Sequence, residues 1–154
     1  DGLDDKALSQ LRNRHIGFVF QLHHLLPQLT LLENVLLPTI PLHDKSLKES
    51  APNRAMELLK IVGLEDKTKQ KPGQLSVGEC QRTAIVRALI NEPEILLADE
   101  PTGSLDQKST QDLAELLQRI NREKGISMIV VTHAERLASQ MQKVYTLEDG
   151  KLKG

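Results

Sequence analysis

The stretch ILLADEPTGSLD, residues 95–106, decides how this sequence is read. Ile95–Ala98 is an apolar run of strand length that ends directly in two neighbouring carboxylates, Asp99 and Glu100. Pro101, Gly103 and a third carboxylate, Asp106, follow at once. A short continuous apolar run bounded by turn residues reads as a buried strand. Two carboxylates at its end call for a cation, a reactive partner or a helix start to cap.

Two further runs have the same character. IGFVF at 16–20 is closed by Gln21, and SMIVVT at 127–132 is followed by His133. Their continuity predicts burial on both faces, as in a parallel sheet. Helical patterns separate the strands. DDKALSQLRNR reads as a short helix with Leu8 and Leu11 on one side. Thr30 with Glu33 forms a capping-box pattern, and Pro38 and Pro41 break the helix it opens. LHDKSLKES reads as a polar connector, after which Ala55, Leu58, Leu59 and Val62 recur at helical spacing and Gly63 closes the helix. Residues 77–91 predict another helix, 107–124 one that ends near Gly125, and 134–142 a short one. KVYTLEDGKLKG predicts a hairpin turning at Asp149-Gly150. The alternation of strand and helix predicts an α/β fold, with residues 22–91 mainly helical between two strand regions.

In open parallel sheets, ligands sit beyond the carboxyl ends of the strands. Gln21, Asp99-Glu100 and His133 all fall at such ends, so three parallel strands bring them to one rim. The chemistry suits a triphosphate with magnesium, a hard cation that prefers carboxylate and water oxygens. Asp99 is the candidate metal ligand. Glu100, on the opposite side of the strand by alternation, is the candidate for polarising an attacking water. His133 would hold a phosphate or orient that water, and Gln21 would reach the metal or the water. LSVGECQR at 75–82 adds a second feature. Ser76 and Glu79 form a capping box, but Gly78 in the first turn costs about 1 kcal/mol relative to Ala, which a cap alone does not need. A serine hydroxyl, a bare glycine backbone and the positive end of a helix together make an anion site.

Composition sets limits. The 154 residues are 39% hydrophobic and 27% charged, ordinary for one globular domain. Phe18, Phe20 and Tyr145 are the only aromatic residues, so the core is expected to be aliphatic. A net charge of −1 and so few aromatics give neither a basic field nor stacking platforms, and nucleic acid is not an expected partner. Cys80 is the only cysteine, which rules out a disulfide within the chain and fits a reducing compartment. No apolar run reaches the roughly 18 residues of a membrane span.

LSVGECQRTAIVRALINEPEILLADEPTGSLD resembles the signature-to-Walker-B block of the ATP-binding-cassette transporter ATPases, with a D-loop at Ser104-Leu105-Asp106. IGFVFQ resembles that family's Q-loop and VVTH its switch histidine, all in family order. FQLHHLLPQLTLLENVLLP and LADEPTGSLD are most similar to the ATPases of bacterial lipoprotein-releasing systems, with macrolide-exporter and cell-division cassettes close behind. The resemblance implies a P-loop NTPase-type (RecA-like) parallel-sheet core, incomplete at its N-terminus, with an inserted α-helical subdomain. Residues 1–21 would belong to the core and end in the Q-loop. Residues 22–91 would form the helical subdomain with the signature, and 92–154 the rest of the core. It implies ATP and Mg2+ as ligands and catalysis by Glu100 and His133. The metal would be held by Asp99 and Gln21, and the nucleotide would be contacted by Gln21, Ser76, Val77, Gly78, Glu79 and Asp106. Two cassettes would pair head to tail, with Ser76 and Gly78 serving the partner's γ-phosphate and Asp106 along the seam. Gln21 and the helical region after it would meet transmembrane permease subunits, at the cytoplasmic face of the inner membrane.

Two departures from the family pattern stand out. Val77 occupies the usual third-position glycine of the signature; it is bulkier there, unless its side chain points away from the nucleotide. The Walker A pattern G-x-x-x-x-G-K-[ST] does not occur, and neither QKST at 107–110 nor DGKL at 149–152 replaces it. Walker A lies upstream of the Q-loop in the family, so the resemblance implies a fragment that exposes ladder edges and binds ATP poorly. A truncated, non-catalytic cassette that binds a membrane partner is the alternative of another class. Soluble repair cassettes carry a long coiled coil between Q-loop and signature, where this chain has only residues 22–74.

Overall fold

Three parallel strands organise the molecule in the computed structural model, which describes residues 2 and 4–154. They are β1 (Ile16–Val19), β2 (Ile95–Asp99) and β3 (Ser127–Val131), in the spatial order β1-β2-β3. The register aligns Phe18 with Leu97 and Leu97 with Ile129, and it sets Asp99 beside Val131. The polar residues after the strands therefore emerge at one rim.

The helices are α1 (Asp5–His15), α2 (Leu31–Leu36), α3 (Lys45–Ile61), α4 (Val77–Leu89), α5 (Gln107–Lys124) and α6 (Glu135–Ala138). Their boundaries follow local chemistry. Asp4, Thr30, Asp44, Ser76 and Asp106 each cap a helix start by accepting a main-chain N–H. Gly125 ends α5 in the left-handed conformation, with φ 66°. A terminal hairpin pairs β4 (Thr146–Glu148) with β5 (Lys151–Lys153), and Asp149 and Gly150, both at positive φ, make its turn.

The core is aliphatic, as the composition implies. Val19, Leu96 and Ala98 of the sheet are buried with Leu89 of α4 and with Leu113 and Leu117 of α5. Gly17 permits the closest approach: a Cβ there would lie 2.6 Å from the carbonyl oxygen of Ala88, so α4 rests on the β1 main chain itself. Asn34, fully buried on α2, closes the segment before it. Its Oδ1 accepts from the Leu26 N–H at 2.7 Å, and its Nδ2 donates to the carbonyls of Leu26, Leu29 and Thr30 at 3.0–3.2 Å.

Four expectations are corrected. The strands are not buried on both faces: Phe18, Ile129 and Val131 are 40%, 58% and 60% exposed, because among the described residues the helices cover only the face carrying Gly17, Val19, Leu96 and Ala98. The connector 42–50 is helical from Lys45, because Asp44 caps it through Leu47 N–H, and the helix runs on through Pro52. Residues 22–30 are an irregular segment held by Asn34. After Ala138 the chain tightens into i→i+3 bonds, Gln140 to Leu137 and Met141 to Ala138, so only Glu135–Ala138 is α-helical.

Candidate functional site

β2 delivers Asp99 at its last position, exposed at the rim. Glu100 follows at φ 45°, a left-handed conformation that costs a non-glycine residue about 1–3 kcal/mol. Glu100 N–H donates to the Val131 carbonyl at 2.8 Å, so the chain turns while still attached to β3. Strand alternation alone thus does not set its direction; the backbone turn and its side-chain bonds do. The Glu100 carboxylate receives three donors from the end of β3. The His133 N–H donates to Oε1 at 2.9 Å, the His133 ring Nδ1–H to Oε1 at 2.7 Å, and the Thr132 hydroxyl to Oε2 at 3.1 Å.

These bonds fix the electrostatics. Burial pushes the Glu100 carboxyl up, but the His133 ring, the Thr132 hydroxyl and the His133 N–H together outweigh it and hold the group below the usual carboxylate range. An ionised Glu100 orders the His133 ring through Nδ1 and leaves Nε2 toward solvent, where the side chain is 81% exposed. Thr132 is a residue that strand-end reasoning missed. Its hydroxyl also accepts the Ala134 N–H at 3.0 Å, shaping the turn that presents His133, and its place before His133 in VVTH was the available signal.

Gln21 joins the same rim from β1. It lies against Gly103, where an added Cβ would meet its Nε2 at 2.6 Å, and Gly103 N–H closes the Glu100 turn onto the Glu100 carbonyl at 3.0 Å. The four predicted strand-end groups are therefore gathered. Among the described residues no cluster of three or more His, Cys, Asp or Glu forms a closed metal cage. An exposed carboxylate such as Asp99 suits magnesium, which keeps several waters and takes the rest of its shell from phosphates.

The second feature sits at the start of α4. Ser76 Oγ accepts the Glu79 N–H at 3.3 Å, and Glu79 Oε2 accepts the Ser76 N–H at 2.8 Å, completing the capping box. Lys67 donates to the other Glu79 oxygen. That bond, with the Ser76 N–H, lowers the Glu79 pKa to about 2 against the opposing effect of burial. Val77 is 52% exposed, so its side chain stands in solvent. A Cβ at Gly78 would meet only Arg82 and Ser109, at 3.7 Å and 3.8 Å, which is ordinary contact. Packing therefore does not demand glycine at 78. Ser109 belongs to the first turn of α5, whose cap Asp106 accepts the Ser109 N–H at 2.7 Å. That bond, the largest influence on it, holds the Asp106 carboxyl low. No hydrogen bond among the described residues joins Ser76, Val77, Gly78, Glu79 or Asp106 to the Gln21–Asp99–Glu100–His133 rim.

The profile of the ABC transporter family matches residues 3–103. The lipoprotein-releasing system ATP-binding protein LolD of Geobacter metallireducens is 50% identical over 150 residues, which cover 97% of this chain and 66% of that protein. LolD of Francisella tularensis subsp. holarctica is 47% identical over 144 residues, covering 94% of this chain and 62% of that one. The chain thus spans just under two thirds of these relatives' length. Among solved structures, a dimeric post-hydrolysis state of the ATP-binding cassette MJ0796 bound to ADP and Pi superposes with a TM-score of 0.83 at 44% identity, over 99% of this chain and 66% of that one. The structure of cbiO1 from Clostridium perfringens, part of the transporter complex cbiONQ, gives 0.86 at 27% identity, over 97% and 59%. The α/β architecture with its parallel sheet is that of these cassettes.

Proposed function

The chain belongs to the ABC transporter family, and from that premise we propose that it is the larger part of an ATP-hydrolysing cassette that powers lipoprotein release from the bacterial inner membrane. The observation that carries the catalytic reading is the Glu100–His133 contact at 2.7 Å on the rim where Asp99 and Gln21 also emerge. Glu100, kept ionised at neutral pH, takes a proton from the attacking water as general base. His133 turns Nε2 outward to orient that water or hold the γ-phosphate, while Thr132 fixes the turn behind it. Asp99 and the Gln21 amide would hold Mg2+, which supplies charge neutralisation at the phosphates when bound.

Ser76 and Gly78 offer the hydroxyl and main-chain N–H groups of a helix start to the γ-phosphate held by a second cassette, with Val77 and Glu79 flanking them. The likeness to a dimeric ATP-binding cassette supports pairing of two such chains, and in a head-to-tail arrangement each composite site draws one surface from each subunit. Asp106 and the D-loop run along the seam. Gln21 and residues 22–91 face transmembrane permease subunits, and the cassette is peripheral at the cytoplasmic face; no helix among the described residues is long and apolar enough to cross a membrane itself. The similarity to lipoprotein-releasing ATPases favours that cargo over those of macrolide-exporter and cell-division cassettes.

The test is Glu100→Gln in a cassette completed to the relatives' length. Steady-state hydrolysis is expected to fall by about 100-fold or more while ATP binding is retained. Turnover at the parent rate removes Glu100 from the role of base.

A further inference from the structure

The signature helix does more than carry Ser76 at its start. Along its length α4 grips the segment that follows β1. Gln81, 1% exposed, donates through Nε2 to the Phe20 carbonyl at 2.9 Å. The Arg87 guanidinium donates from its two terminal nitrogens to the His24 and His23 carbonyls, each at 2.7 Å. Leu25 is buried against Cys80 and Ala84 of the same helix. Within the segment, Leu25 N–H donates to His23 Nδ1 at 3.2 Å, and His24 sits at φ 47° with its ring edge-on to Phe20. Gln21 lies inside this clamped stretch and reaches Gly103 in the turn that begins at Glu100.

The spacing on α4 is what makes the clamp directional. Gln81 and Arg87, six residues apart on the helix, hold the segment before and after Gln21 respectively. Arg87 is suited to this because its rigid planar fork can satisfy two successive carbonyls at once, whereas an ammonium is a point charge on a flexible stem. The carbonyls it satisfies belong to an irregular segment with no ladder partner, so they would otherwise depend on water.

We propose that Gln81 and Arg87 are positioning residues that couple the signature turn to Gln21, so that a displacement of α4 moves Gln21 relative to the Glu100 turn. This rests on the ATPase reading of the rim for its kinetic consequence, but the mechanical coupling is independent of it. In the 154-residue chain, Arg87→Met and Gln81→Leu are expected to raise amide exchange at residues 22–25 by at least about tenfold, with α4 and β2 within about twofold of the parent. Arg87→Lys is expected to recover part of that protection. In a completed cassette, Arg87→Met is expected to lower kcat about tenfold with KM for ATP within about twofold, because Gln21 is misplaced after nucleotide has bound. The proposal is overturned if exchange at 22–25 is unchanged, or if it rises equally through α4 and the sheet, as general destabilisation would produce. It is equally overturned if kcat is unaffected when that exchange has risen. Should the parent cassette hydrolyse no ATP, the functional reading fails while the exchange result still decides the coupling.

Discussion

Replacing Glu79 by Gln tests how the signature turn is held. The Glu79 pKa falls from 4.5 to about 2 on folding, chiefly through the Lys67 bond. At 1.36 kcal/mol per unit, that depression corresponds to about 3 kcal/mol of stability at neutral pH. The Glu79 side chain is only 17% exposed but the Lys67 side chain is 37% exposed, so solvent screening brings the expected loss nearer about 2 kcal/mol. The glutamine keeps its carbonyl oxygen for the Ser76 N–H, so the cap survives, while its NH2 cannot accept from the Lys67 ammonium and the charged bond is removed. Because the folded pKa is depressed, the stabilisation is complete above pH 4.5 and is lost as the pH falls toward 2. Urea unfolding of parent and variant at pH 7 should show a midpoint shift of about 1 M, taking a slope of about 2 kcal/mol per M. Near pH 2 the two midpoints should converge. A gap below about 0.5 kcal/mol at pH 7, or one that persists undiminished in acid, would refute the charge pairing as the source of the depression.

The remaining expectations address the rim, the nucleotide and the core. His133→Ala in a completed cassette should cripple turnover by about 100-fold with ATP binding intact, as read by parallel hydrolysis and binding assays; an unchanged rate returns His133 to an ordinary loop residue. The 154-residue chain, with no Walker A pattern in its sequence, should bind ATP far more weakly than the micromolar range in calorimetry, and micromolar affinity would contradict this. Asn34→Ala removes four buried hydrogen bonds and should cost about 3 kcal/mol in chemical denaturation, whereas a loss under about 1 kcal/mol would mean that residues 26–30 keep their shape without it.

Much of the sheet was legible because each strand is a short apolar run punctuated by a polar residue, and parallel order then puts Gln21, Asp99, Glu100 and His133 at one end. The capping boxes at Thr30 and Ser76 were equally plain, since both partners of each box lie within four residues. What the sequence concealed depends on contacts distant along the chain. Glu100 meets His133 and Thr132 because of the Asp99–Val131 register and a left-handed backbone turn, and neither leaves a local trace. Lys67 reaches Glu79 from a separate short turn, so the pair has no helical spacing to betray it. The α3 start was hidden because Lys45–Ser50 carries a single apolar residue, Leu47, too few to show a helical period, and its cap, Asp44, sits in a run that reads as loop. The open sheet face was misread for a related reason: an apolar run records what a residue can tolerate, not which neighbours are present to cover it.

Gly17 gives the architecture a fixed gauge. With the Ala88 carbonyl seated where a methyl group would stand, the gap between β1 and α4 has no slack at that point, and helix and strand meet as on a fulcrum. The signature turn at Ser76 lies at the far end of that lever, so any side chain at 17 would be magnified there into a tilt. A sequence that drifts at this position must shift the α4 main chain itself, because the atom in the way at 88 is a backbone oxygen that no substitution removes, and this makes the least conspicuous residue of the first strand a control on the geometry of the signature turn.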